Sequence, residues 1–241
     1  MVLEKTRLLF AHLEHRIQQT AQPCGEEQVH ELRIAVRRLD EALRLQGRPD
    51  IVKPLRRKLR KIFDRAGAVR DCDVASQLFA KSQLSNDVLT ARLAGQREAA
   101  ASCLGKFLSK CSNRLALPEI VETADPPPMP DFSTVSRKFW RLGRKAVKAK
   151  NQRSLHRFRI FVKRYRYRLE LLEVNSALLE TLSGIQGALG RVHDCRMARA
   201  MLRELKTNRA LFVWLKKREQ KARHGFYSQW KDLSAGRNRV R

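Results

Sequence analysis

Apolar residues recur along this chain at helical spacing and seldom alternate as a strand would require. Placed at 100° intervals, Val29, Leu32, Val36, Leu39 and Leu43 gather on one face of a helix predicted over 27–46. Leu155, Phe158, Val162, Tyr165 and Leu169 do the same within 152–175, and Leu55, Leu59, Ile62, Phe63 and Ala66 within 50–68. The pattern predicts further helices near 2–20, 71–82 and 84–113 in the first half. In the second half it predicts them near 134–150, 177–192, 194–206 and 208–234. Leu, Ala, Arg, Lys and Glu dominate the composition and β-branched runs are scarce, which suits helices throughout. The fold class is therefore all-α, with short connections predicting antiparallel neighbours and an up-down four-helix bundle in each half.

The halves are copies of one another. VHELRIAVRRLDEALRL from Val29 aligns without gaps to LHRFRIFVKRYRYRLEL from Leu155, an offset of 126 that pairs His30 with His156, Arg33 with Arg159 and Arg38 with Arg164. LRKIFDRAGAVRDCDVASQLFA from Leu59 aligns to LSGIQGALGRVHDCRMARAMLR from Leu182. Here Gly67, Val69, Asp71 and Cys72 recur as Gly190, Val192, Asp194 and Cys195. Two blocks in nearly the same register mark a tandem duplication, and such copies commonly pack about a pseudo-two-fold axis. Repeat one is expected over 1–116 and repeat two over 133–241. Between them, residues 117–132 carry a proline run that cannot continue a helix and reads as a semi-rigid linker, with the next helix capped near Ser133 or Thr134.

Charge changes the picture from fold to function. The 241 residues hold 51 Lys and Arg against 24 Asp and Glu, a formal net charge of +27. Up to residue 120 there are 22 basic and 14 acidic residues; the remainder has 29 and 10. Solubility needs only about 2–8 net charges on a small domain, so the excess points to a polyanionic partner: nucleic acid, an anionic membrane or inorganic polyphosphate. Five cysteines without a CxxC spacing argue for reduced thiols. With no leader-like segment and no apolar run of about 18 residues, the expected location is the cytoplasm, away from the membrane.

The positive charge is patterned. On helix 27–46, His30, Arg33, Arg37 and Arg44 form a stripe of about 60° beside the apolar face. On helix 152–175, His156, Arg159, Lys163 and Arg166 form the matching stripe. Arg137, Arg141, Arg144 and Lys148 line one face of helix 134–150, and Lys58, Lys61 and Arg65 flank the apolar face of helix 50–68. Arg70 in the first repeat stands opposite His193 in the second. Like charges at helical spacing repel, and a string of phosphates would relieve them, arginine's planar fork being suited to phosphate oxygens.

Neither His30 nor His156 has an HxxxH companion, and the one ExxH pairing, Glu27 with His30, stands alone without further ligands, so no metal site is expected. Facing phosphate, their pKa would rise. Asp71 and Asp194, after helices expected to end near Gly67 and Gly190, read as N-caps, the alternative being to orient a stripe Arg or His. Cys72 and Cys195 beside them read as small buried apolar groups. No GxxxxGK[ST], GxSxG, HExxH or paired-carboxylate motif appears, so neither a catalytic site nor a cofactor is expected.

VHELRIAVRRL with GAVRDCDV, and LHRFRIFVKRYRYRLELL with LGRVHDC, together resemble the CHAD family, the conserved-histidine α-helical domain, standing alone and covering almost the whole chain. The resemblance implies two four-helix bundles related by pseudo-two-fold symmetry, with a basic surface or cleft where they meet. It implies binding of inorganic polyphosphate, association with polyphosphate granules, and no catalysis. By motif position it implies His30, Arg33, Arg37 and Arg38 as ligands in repeat one and His156, Arg159, Lys163 and Arg164 in repeat two. Lys58, Arg65, Arg70, Arg141, Arg144, Lys148, Arg166 and His193 complete the candidate set. The alternatives are a nucleic-acid-binding helical protein, disfavoured by only 7% aromatic residues and no stacking signature, and an accessory domain of a phosphohydrolase.

Overall fold

A computed structural model describes residues 2–21, 24–46, 49–112, 115–117, 132–173, 176–205 and 208–239. These form eight α-helices, with no strand among the described residues. In the first repeat they are α1 (Val2–Ala21), α2 (Glu26–Leu45), α3 (Pro49–Ser82) and α4 (Asp87–Ser112). In the second they are α5 (Phe132–Ala149), α6 (Gln152–Leu171), α7 (Ser176–Glu204) and α8 (Arg209–Arg239). The chain divides into two compact units: Met1–Gln77 with Ser85–Pro128, and Leu78–Leu84 with Met129–Arg241. Nearly all of the expected linker, residues 118–131, lies outside the described residues. α5 already begins at Phe132, ahead of the expected Ser133 or Thr134 cap.

The apolar faces read from the sequence are the cores. In the first unit Val29, Leu32, Val36, Leu39 and Leu43 of α2 meet Leu55, Leu59, Ile62 and Ala66 of α3. Phe10, Leu13 and Ile17 of α1 and Leu104 and Leu108 of α4 complete this largely aliphatic cluster. In the second unit α5, α6, α7 and α8 close a ring of neighbours. Its core is aromatic: Phe139, Phe158 and Trp230 pack with ring centroids 5.3–5.5 Å apart, a spacing that adds to plain area burial.

Helix starts repeat along with the cores. Gly25 caps α2 and Asn151 caps α6, both with extended backbone. Asn86 Oδ1 accepts from Leu89 N at 2.9 Å to open α4, and Asn208 Oδ1 accepts from Leu211 N at 2.9 Å to open α8. α5 and α6 pack on each other and are joined only by Lys150 and Asn151. Lys150 adopts φ 47°, and so tight a reversal makes the two helices antiparallel.

The expected breaks after Gly67 and Gly190 are absent, because α3 and α7 run through as helices of 34 and 29 residues. Asp71 and Asp194 therefore lie mid-helix and cap nothing. Gly67 has another use: a Cβ there would stand 2.8 Å from Arg33 Nη1, so the missing side chain gives the guanidinium its place. Cys72 and Cys195 are buried, and burial pushes both thiols up, Cys195 to about 11.

Candidate functional site

In the first repeat the stripe is braced by an aromatic ring. Phe63 of α3 carries two guanidiniums from α2, with Arg33 Cζ 4.2 Å and Arg37 Cζ 4.7 Å from its centroid. Arg33 also donates from Nη1 to the Phe63 carbonyl at 3.0 Å. Cation–π contacts of this kind contribute about 0.5–1 kcal/mol each, and they hold Arg33 and Arg37 side by side on one surface.

The second repeat presents a cleft of about 590 Å³ at the start of α6, lined by Gln152, Arg153, His156, His193, Arg196, Met197 and Ala200. A narrower recess joins it, adding Leu155, Arg159, Leu189, Val192 and Arg223. The rings of His156 and His193 lie 6.0 Å apart across the helix pair α6–α7. Burial, then the charge of Arg159 and smaller contributions from His156, Lys163 and Arg196, press His193 down to about 3. His156 is lowered by burial and by Arg159, Arg196 and Lys163. Burial is the larger cause for both imidazoles, and the neighbouring cations add to it. Among the described residues, no group of three or more His, Cys, Asp or Glu is placed to hold a metal.

One contact is built identically in both repeats. Arg97 of α4 donates to the carbonyl of Cys24, and Arg223 of α8 donates to that of Lys150. Each carbonyl immediately precedes the cap of the helix that carries the histidine. The partner acids differ. Arg97 pairs with Asp73 of α3 at 2.6 Å, whereas Arg223 pairs with Glu219 of its own helix at 2.7 Å, and Glu219 also holds Arg199.

Comparison with known proteins matches the CHAD domain model over residues 6–203. The chain belongs to the CHAD-domain family. Two solved structures share the fold. A CHAD domain from the plant Ricinus communis is 22% identical, covering 95% of this chain and 86% of its own, with a TM-score of 0.54. PptA from Streptomyces chartreusis is 15% identical, covering 94% and 99%, with a TM-score of 0.65. No curated protein matches the chain.

Within this CHAD domain the candidate residues fall into three groups. His156, Arg159 and His193 line the cleft and its recess, with Lys163 close enough to act on both histidines. Arg33 and Arg37 sit on Phe63, with His30 half-buried one turn earlier on α2. The rest lie outside the lining of the cleft and its recess, several of them engaged with other side chains. Arg38 is exposed and faces His12 of α1. Arg65 lies on the ring of Phe107 in α4, 3.9 Å from its centroid. Arg70 pairs with Glu26 at 2.7 Å, and Arg166 pairs with Glu170 at 2.9 Å and donates to Gln186. Lys58 is half-buried, Arg164 is exposed, and Arg141, Arg144 and Lys148 are exposed along α5.

Sequence reasoning passed over Gln152, Arg153 and Arg196. The signal was present: Arg153 precedes His156 by three residues and Arg196 follows His193 by three, so each shares a face with its histidine.

Proposed function

We propose that this CHAD domain is a non-enzymatic module that binds inorganic polyphosphate and associates with polyphosphate granules. The family is linked in general to polyphosphate binding. The observation that carries the reading here is the second-repeat cleft, where Arg153, His156, His193 and Arg196 converge with Arg159 behind them and no carboxylate in the lining. Guanidiniums and imidazoles in that arrangement offer charge-assisted hydrogen bonds to successive phosphate oxygens. The lining has no acid to bridge a divalent metal to a phosphate, which supports holding over hydrolysing. The Phe63-braced pair Arg33 and Arg37 supplies a further cationic surface.

Titration with long-chain polyphosphate at several salt concentrations tests this. Binding should be tight and weaken steeply with salt, because each neutralised phosphate releases counterions. Charge reversal of Arg33, Arg37, Arg159 and Lys163 together should abolish binding with helicity retained. Equal affinity for orthophosphate and the long polymer, or displacement of the polymer by duplex DNA or RNA at equal phosphate concentration, would overturn the assignment in favour of a general anion or nucleic-acid binder. Release of phosphate by the purified protein with Mg²⁺ or Mn²⁺ would overturn its non-enzymatic character.

A further inference from the structure

The two repeats place different chemistry at one and the same address. Glu26 and Gln152 are each the first residue of the histidine-bearing helix, directly after the caps Gly25 and Asn151. In the second repeat Gln152 lines the open cleft, with Arg153, His193 and Arg196 around it. The corresponding residues of the first repeat, by the offsets of 126 and 123, are Glu27, Arg70 and Asp73. That address therefore holds three carboxylates and one guanidinium in the first repeat, but two guanidiniums and no carboxylate in the second.

The first repeat also shows what sits there. Glu26 Oε1 accepts from Arg70 Nη1 at 2.7 Å, and the same oxygen accepts from Gln77 Nε2. Arg70 and Gln77 are the counterparts of His193 and Ala200, both of which line the cleft. The first copy has thus supplied its own anion to the cationic side chain, while the second copy has a neutral amide in the acid's place and an open cavity beside it. α2 carries Glu26 and Glu27 in its first turn and α6 carries no acid there, so the positive end of the α6 dipole meets only the neutral Asn151 cap.

We propose that the cleft of the second repeat is a discrete site for a short run of phosphate groups, and that Glu26 is an intramolecular competitor that keeps the matching site of the first repeat shut. The proposal rests on the polyphosphate reading above and adds an asymmetry to it. A phosphate group at the cleft stands where the Glu26 carboxylate stands in the first copy. It accepts from Arg196 and Arg153, with the amide of Gln152 as a neutral donor. Displacing Glu26 frees Arg70 in the first copy.

Inorganic tripolyphosphate is the probe, titrated calorimetrically into the full chain, with long-chain polyphosphate measured in parallel. Wild type should bind one tripolyphosphate. The double variant Glu26→Gln, Glu27→Arg gives the first repeat the helix start of the second, frees Arg70 and leaves Asp73 paired with Arg97, and it should bind two. Both residues are exposed, so the fold tolerates the change. The converse variant Gln152→Glu should weaken tripolyphosphate binding about tenfold or more, as should Arg196→Asp, each placing an acid against the phosphate oxygens. Unchanged stoichiometry in the double variant, with unchanged affinity in the converse ones, overturns the proposal while long-chain binding by wild type keeps the polyphosphate reading intact. Absence of long-chain binding by wild type overturns the reading itself.

Discussion

Arg97 and Arg223 do the same work at corresponding places: each ties the fourth helix of its unit to the carbonyl just ahead of the histidine-bearing helix, at 3.1 and 3.3 Å. In the first unit this tie rests on Asp73, only 3% exposed. Arg97→Leu strands that buried carboxylate and should cost about 3 kcal/mol in urea denaturation. Adding Asp73→Asn should return at least half of the loss, since an amide is cheaper to leave buried than a charge. Equal loss in single and double variants would show that the carbonyl contact, and not the ion pair, matters.

Proton uptake should report on the cleft. His193 is pressed to about 3 in the folded chain from an ordinary 6.5. Between those values the unfolded chain binds the extra proton, so stability is fully present above pH 6.5 and falls as pH drops toward 3. Imidazole resonances followed by NMR should show His193 neutral at pH 5. Saturating polyphosphate should move it upward, since phosphate oxygens offset Arg159 and Lys163. A His193 titrating near 6.5 without ligand would contradict the picture of a crowded cationic cleft.

Alanine at two equivalent glycines should part stability from binding. Gly190 has nothing within 4 Å of the position a Cβ would take, so Gly190→Ala gains helix propensity and should stabilise by about 0.5–1 kcal/mol. Gly67→Ala gains the same propensity, but its methyl meets Arg33 Nη1. The flexible guanidinium can yield at little cost in stability. It then leaves the Phe63 carbonyl, so polyphosphate affinity should drop while the melting temperature holds or rises.

Removing the aromatic platform tests the same surface from the other side. Phe63→Leu keeps apolar bulk but loses the ring under Arg33 and Arg37. The expected loss is about 1 kcal/mol of stability, with polyphosphate binding weakened in parallel. Retained affinity would show that the two arginines need no bracing.

The helices, their buried faces and the duplication were legible because periodicity records burial directly. The halves of α3 and α7 were misread as separate helices because glycine is read as a helix end. The true reason for Gly67 lies thirty-four residues away at Arg33, where no local pattern can show it. The cationic stripes were legible too, but their use was not. Arg65 and Arg166 have the right spacing and yet turn to Phe107 and to Glu170 with Gln186, contacts set by neighbouring helices. Arg196 was overlooked for a different reason. Aligning the repeats draws the eye to identities such as Asp71 with Asp194, whereas the informative position is the mismatch of Asp73 with Arg196.

The displaced carboxylate also constrains history. One repeat holds its tie with an acid on the third helix, Asp73; the other holds it with an acid on the fourth, Glu219, and has a cation where the first acid would be. Whichever arrangement is older, a lineage passing through neither acid would have carried a guanidinium at the core's edge with no counter-charge, a change costly enough to be purged. The tolerable route passes through a copy with both acids, so the second carboxylate was gained before the first was lost. Only with that redundancy was the third-helix position free to change, and the two copies now differ there as Asp73 and Arg196, one address acidic and the other basic.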